Sequence, residues 1–297
     1  MGDAAAVGGR WRVYLRLARV YNLPTVWTNV IAGAVLSGAA LYPATMTAVL
    51  VALSLFYAGG MYLNDAFDRE FDTRERPERP IPSGLVSART VFTIGFSLLA
   101  AGLVILGAAA WSGRWGGALR AMMSGGALVA AIVYYDVVHK RDPLSPLIMG
   151  LCRLLIYITA ALVVSGRIAT PVLAGAAALL SYLVGLTYID NQEGVARVRN
   201  AWPLLFLAVP FIYAMPLVTD TVGGALLYLG FLGWVGYSLS FLRPRRVNVQ
   251  GAVIRLLAGV CLLDALLLAG AQEPLLAAAA IGGFILTRIL QTSAAGA

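Results

Sequence analysis

Thr45 to Leu63 is an uncharged, largely apolar run, and Asn64-Asp65-Ala66-Phe67-Asp68-Arg69-Glu70-Phe71-Asp72 follows it directly. A run of that length is enough to cross a bilayer core as a helix. Carboxylates set at the end of such a helix are costly unless a partner, a metal or a functional task compensates them. A second station repeats the pattern: Tyr188-Ile189-Asp190-Asn191-Gln192-Glu193 closes an apolar run that begins near Pro171.

The rest of the chain agrees with a membrane protein. Of 297 residues, 60% are hydrophobic and 12% charged, and mean hydropathy is +0.82. Apolar runs near 20–41, 45–63, 91–111, 118–138, 145–165, 171–189, 201–219, 224–242, 251–270 and 274–290 predict an all-α, polytopic bundle. Nine transmembrane helices result, or ten if the last run spans rather than lying at the interface.

Basic residues then set the orientation, because Lys and Arg are retained on the cytoplasmic side. One side collects Arg10, Arg12, Arg16, Arg19, Arg69, Arg74, Arg76, Arg79, Arg89, Lys140, Arg141, Arg197, Arg199, Arg243, Arg245 and Arg246, against Arg114, Arg120 and Arg167 on the other. Both acidic stations therefore face the cytoplasm. The net charge of +8 follows from this asymmetry and from anionic headgroups, without nucleic acid. Cys152 and Cys261 fall in predicted spans, so a disulfide framework is not indicated. Residues 1–19 lack the apolar core and cleavage site of a signal peptide and are expected to lead into the first span as an interfacial helix.

No soluble domain is visible, so residues 1–297 are expected to form one transmembrane domain. The two stations stand about four helices apart, as two pseudo-repeated four-helix halves plus C-terminal helices would place them. Such halves would enclose a central cavity opening to the cytoplasmic side.

Asn64, Asp68 and Asp72 fall at i, i+4 and i+8 and share one helical face. Asp65 is expected to point elsewhere, and Glu70, Glu75 and Glu78 to pair with the interleaved arginines. Magnesium binds through one or two carboxylates while keeping sites for phosphate oxygens and water. Such a row suits a magnesium-dependent site for a diphosphate; the plain alternative is a solvated charge cluster. Lys140 and Arg141 lie on the same side and are the leading cations for a diphosphate, with Arg79, Arg153 and Arg197 behind them, though positive-inside anchoring accounts for each alone. Arg153 falls inside a predicted span and needs a polar partner there.

After the carboxylates comes Arg76-Pro77-Glu78-Arg79-Pro80-Ile81-Pro82-Ser83-Gly84. With it, the stretch resembles the first signature of the UbiA superfamily of intramembrane prenyltransferases, N-D-x-x-D-x-x-x-D followed by R-P and S-G. Asn64, Asp65, Asp68, Asp72, Arg79, Pro80, Ser83 and Gly84 fit it, eight positions in a 21-residue window. Arg19 to Asn29 looks like the family's opening, which implies that Arg19 and Asn22 lie near the substrate. Tyr134 to Arg141 occupies the place of the family's tyrosine and basic pair. Within the superfamily the chain looks most like the branch of bacterial Ebo-type clusters.

The resemblance implies magnesium on Asn64, Asp68, Asp72, Asp190 and Glu193, and transfer of an isoprenyl group from an isoprenyl diphosphate to a lipophilic acceptor within the cell membrane. Asp68, Asp72, Lys140, Arg141 and Tyr188 are the catalytic candidates, Tyr188 as an aromatic face for an allylic cation. The second signature departs from the family, with Gly194 where another aspartate is usual. A prenyl-lipid binding or transport protein of the same fold is therefore the alternative. A CDP-alcohol phosphotransferase would need D-G-x-x-A-R, which neither station has. His139 and Asp264 are expected to be structural, Asp264 by pairing with another helix, while the role of Asp136 stays open.

Overall fold

The computed structural model describes residues 11–111, 117–140, 142–191, 202–243 and 247–295. Twelve α-helices lie among them: α1 (11–17), α2 (Leu23–Leu36), α3 (Pro43–Phe67), α4 (Arg69–Glu75), α5 (Ala88–Trp111), α6 (Ala118–Val138), α7 (Ser145–Ser165), α8 (Thr170–Asp190), α9 (Val209–Val218), α10 (Val222–Leu239), α11 (Val249–Gly270) and α12 (Pro274–Ala295). Short 3-10 turns at Val20–Asn22, Trp202–Ala208 and Ser240–Leu242 lead into α2, into α9 and out of α10.

Among the described residues, eight helices are long and apolar enough to cross a membrane: α3, α5, α6, α7, α8, α10 with its trailing turn, α11 and α12. The chain is an integral, multi-pass membrane protein by this measure. Two of the expected runs come out shorter. The first is cut to 14 residues: at its start Arg19 takes a left-handed conformation (φ 45°), a 3-10 turn follows and Pro24 opens α2, and at its end the helix stops at Leu36, ahead of the left-handed Gly38 (φ 69°). The run at 201–219 is divided between a 3-10 segment and a ten-residue α9 with Pro210 in its first turn and Pro216 inside it. Proline removes a helix donor at each point, so an apolar stretch need not become one straight rod.

Burial separates an inner from an outer ring. The apolar windows of α11, α8 and α7 are 72%, 67% and 61% buried, against 17% for α10 and 22% for α12. Outer helices keep large apolar side chains such as Val104, Leu226 and Leu275 exposed, as lipid-facing surfaces do. Small residues let the inner helices approach closely. A Cβ on Gly33 of α2 would stand 2.7 Å from the Tyr157 backbone of α7, so only glycine fits there. That contact seats the polar face of α2 against α7.

Candidate functional site

The row of oxygens forms because α3 runs into α4 with its hydrogen-bond ladder almost intact. The Asp68 N–H donates to the Asn64 carbonyl and the Asp72 N–H to the Asp68 carbonyl, both at 2.9 Å. Asn64, Asp68 and Asp72 are thereby stacked, and all three are buried. Arg76 ends α4, and the proline-rich turn that follows reverses the chain, with Gly84 left-handed at φ 77° and Ser83 Oγ donating to the Arg79 carbonyl at 2.7 Å. The turn carries Arg79 back onto the row.

Cations close around the carboxylates. Arg79 Nη1 donates to Asp72 Oδ2 at 2.7 Å and stands 3.4 Å from Asp65 Oδ1. Arg19 Nη2 donates to the same Asp65 oxygen at 2.8 Å and to Asn64 Oδ1 at 3.1 Å. Asp68 Oδ2 faces His139 Nε2 at 3.4 Å and Lys140 Nζ at 3.5 Å, with Lys140 also over the Phe71 ring. Burial alone would raise the Asp68 pKa, but the His139 hydrogen bond and the charges of His139, Lys140 and Arg79 hold it below the usual carboxylate value. Asp72 goes the other way: burial raises it despite the opposing Arg79. Arg19 is half-buried, and desolvation works against its charge, yet chiefly Asp65 holds its pKa above the usual value.

Arg19, Asn64, Asp68, Arg79, His139 and Lys140 rim a cavity of about 990 Å³, which Asp65 and Asp72 do not line. Asp190, at the end of α8, lines the same cavity, and Asn191 ties that helix end to Ser145 of α7 at 3.2 Å. Farther from the mouth, the walls include Leu53 and Phe56 of α3, Leu128 and Ile132 of α6, and Leu183 of α8. Tyr57 and Tyr135 supply aromatic faces. Asn22 also lines the space, and its side-chain oxygen accepts a hydrogen bond from Gln291 at 2.9 Å. The result is a charged opening above an apolar chamber.

Arg153 lines that chamber well below the opening, and its partner is Asn29, which accepts from Nη1 at 2.9 Å. Asn29 in turn donates to Asp264 Oδ2 at 2.7 Å, and the Tyr157 hydroxyl donates to the other Asp264 oxygen. Asp264 thus joins helices, as expected.

Several expectations need revision. Asp65 does not point away; it is the carboxylate that gathers Arg19 and Arg79. At about 100° per residue it lies only about 20° from Asp72 around the helix, a signal present in the spacing. His139 reaches Asp68, its ring stacked on Tyr135. Asp136 accepts from Asn64 Nδ2 at 3.3 Å, on the inner side of the row. Tyr188 is half-buried and does not line the cavity, a place taken by Tyr57 and Tyr135. Arg141, Glu193 and Arg197 lie outside the described residues.

Two observations bear on a metal. Among the described residues no three acids, histidines or cysteines are gathered as a ready cation cluster. Asp72 Oδ1 is buried without a hydrogen-bond partner, beside Asn64 and Asp68, whose oxygens share its helical face. Such a set fits a hard cation that takes one or two carboxylates and completes its shell from phosphate oxygens and water.

Comparison with known proteins gives a consistent picture. Residues 25–290 match the UbiA prenyltransferase family. Digeranylgeranylglyceryl phosphate synthase of Ignicoccus hospitalis is 43% identical over 94 residues, which are 32% of this chain and 30% of that protein. The same-named protein of Thermococcus kodakarensis is 30% identical over 206 residues, 66% of this chain and 69% of the relative. The chain spans about a third of the length of the first curated relatives it matches, at 30% and 34%. A solved digeranylgeranylglyceryl phosphate synthase has the same fold at a TM-score of 0.61 and 19% identity, covering 88% of this chain and 98% of its own. An apo UbiA homologue from Aeropyrum pernix follows at a TM-score of 0.51 and 17% identity, covering 92% and 96%. The Ebo-type branch remains a resemblance of sequence.

Proposed function

We propose, for a chain that belongs to the UbiA prenyltransferase family, that it transfers an isoprenyl group from an isoprenyl diphosphate to a lipophilic acceptor within the membrane. The observation that carries this reading is the buried Asn64, Asp68 and Asp72 row, with its cations, whose Asn64 and Asp68 line the mouth of an apolar cavity of about 990 Å³. The cavity volume and lining suit a hydrocarbon chain, while the mouth suits its diphosphate.

Asn64, Asp68 and Asp72, with Asp190 and Glu193 of the second station, would hold magnesium, which supplies charge neutralisation for the departing diphosphate. Lys140 and Arg79 bind its remaining oxygens, with His139 beside them, and Arg141 and Arg197 are the further cations that the family resemblance implies; Arg19 and Asn22 fix the inner edge of the mouth. Asp65 positions the two arginines rather than touching substrate. Cleavage breaks the allylic carbon–oxygen bond, and the electron pair leaves on diphosphate. The remaining cation is shielded from water by the apolar walls and faces Tyr57 and Tyr135. A lone pair of the acceptor then forms the new bond to that carbon, and the acceptor's proton passes to water at the mouth.

The basic asymmetry of the loops supports a mouth that faces the cytoplasm. Residues 1–297 act, in this reading, as one domain of two four-helix halves with C-terminal helices, crossing the membrane nine or ten times. In the test, purified protein is incubated with magnesium, radiolabelled isoprenyl diphosphates of several lengths and a lipid extract. Label is expected in a lipid product, with diphosphate released. Magnesium-independent binding without diphosphate release would replace the reading with that of a prenyl-lipid binding protein.

A further inference from the structure

Asp136 is a carboxylate that neither acidic station accounts for. It lies in the last turn of α6, which packs beside α3, and the two helices meet in steps. His139 and Lys140, just past the end of α6, face Asp68; Asp136, one turn earlier, faces Asn64, itself one turn before Asp68. The outer step therefore sets cations against a carboxylate. The inner step sets a carboxylate against a neutral amide.

That carboxylate is left over. Among the described residues, Asp65 and Asp72 are taken up by Arg19 and Arg79, and Asp68 by His139 and Lys140, whereas Asp136 makes no ion pair. The residue is 3% exposed, and its one hydrogen bond is the 3.3 Å contact that Asn64 Nδ2 makes to Oδ1. Oδ2 is sealed and has no donor. Among the described residues only one other acid oxygen shares that condition, Asp72 Oδ1, which belongs to the row. A buried carboxylate so placed is costly unless a cation reaches it. Asp136 also lines the cavity together with Asn64, Asp68 and Asp190.

We propose that Asp136 is a magnesium ligand of this site, reaching it from α6 at the inner end of the row and standing in for the aspartate that the second station lacks at Gly194. A hard divalent cation takes carboxylate oxygens first. Asn64 offers only a neutral oxygen, and that oxygen already accepts a hydrogen bond from Arg19 at 3.1 Å. Without Asp136 the inner step has no anionic oxygen to give. The Asn64 N–H on Oδ1 also orients the carboxylate, as hydrogen bonds to metal ligands commonly do, and leaves Oδ2 for the ion. The acids are not gathered closely enough to hold a bare cation, so oxygens of a diphosphate complete the set. A carboxylate lost from one helix end is thus offset by one on a different helix.

This inference rests on the prenyl-transfer reading, and its test separates the two. Full-length protein in phosphatidylcholine nanodiscs is titrated with manganese in the presence of inorganic diphosphate, free manganese being read from its paramagnetic signal. Asp136→Asn keeps an oxygen for the Asn64 N–H while removing the charge, and it is expected to weaken manganese binding at least about tenfold. A residue that only held Asn64 in place would leave that affinity unmoved. Asp136→Cys gives the second readout: a thiolate is a soft ligand, so cadmium is expected to bind this variant with cadmium–thiolate absorption beyond that of wild type. Wild-type manganese affinity in Asp136→Asn, or no added absorption in Asp136→Cys, overturns the assignment. Should Asp136→Asn not fold, Asp136→Cys decides. Manganese binding that is lost in Asp68→Asn but kept in Asp136→Asn overturns this inference alone, whereas failure of manganese to bind wild type with diphosphate overturns the transfer reading and this inference with it.

Discussion

Asp72→Asn is expected to lower kcat for prenyl transfer by about 10²–10³-fold while leaving the protein folded, with Asp68→Asn close behind. Each substitution removes one negative oxygen from the set proposed to hold magnesium, and groups that stabilise developing charge on a leaving group are worth about that much. The corresponding barrier increase is about 3–4 kcal/mol. The amide matters in the choice of variant. Asp72 Oδ2 receives Arg79 at 2.7 Å, and an asparagine oxygen still accepts that bond, so the turn carrying Arg79 keeps its anchor. Asp72→Ala removes the metal oxygen and the anchor together and is expected to lose activity at least as severely, with lower thermal stability as well. Single-turnover rates at saturating magnesium, beside melting curves of both variants, separate the two roles. An Asn variant with wild-type rate would mean that Asp72 only anchors the turn.

Asp65→Ala is the second large effect, expected to cut kcat/KM for the isoprenyl diphosphate about 10–10²-fold, mostly through KM. One oxygen of Asp65 lies 2.8 Å from Arg19 and 3.4 Å from Arg79, so it holds together two guanidinium groups that otherwise repel. Without it the mouth gains a net positive charge, which by itself would attract a diphosphate more strongly. The expected loss therefore comes from position, not from charge. Asp65→Asn, which keeps a hydrogen-bond acceptor, is expected to recover part of the affinity. The double variant Asp65→Ala with Arg19→Met should lose less than the sum of the single changes, since both act on one network. Additive losses would show that Asp65 and Arg19 work independently.

How much of this was legible in the sequence depended on whether a feature carried a spacing. The Asn64, Asp68 and Asp72 row has a period of four, and the ladder through Asp68 preserves it, so the stacked face followed directly. The multi-pass helical bundle followed from long apolar runs. Asp65 was misread although its angle around the helix was available; attention to the period of four hid the i, i+7 relation with Asp72. His139 had no spacing to announce it. It meets Asp68 only because α6 packs beside α3, a tertiary fact that no local pattern encodes. Tyr188 was expected to offer an aromatic face to the allylic cation, but a half-turn of helix decides whether a side chain enters a cavity or leaves it, and Tyr57 and Tyr135 are the ones that enter. The first span was overlong because hydropathy does not register the left-handed Arg19 or the break that Pro24 fixes.

The partners of Arg153 illustrate the same boundary. A buried arginine demanded a polar neighbour, and that demand was readable; the answer, Asn29 steadied by Asp264, lies 124 and 111 positions away in the chain. Asn29 sits in a stretch that looked like the family's opening, yet nothing in that stretch pointed to α7. The close approach of Gly33 to the Tyr157 backbone brings the two helices together.

The central claim is that the carboxylate row grips a diphosphate through a divalent cation. Manganese can replace magnesium as a paramagnetic probe, and its free signal titrates against the protein with and without inorganic diphosphate. The account predicts manganese binding that tightens at least tenfold when diphosphate is present and is lost in Asp68→Asn and Asp72→Asn. Diphosphate that binds equally well without any divalent cation, or manganese binding untouched by both substitutions, would contradict it.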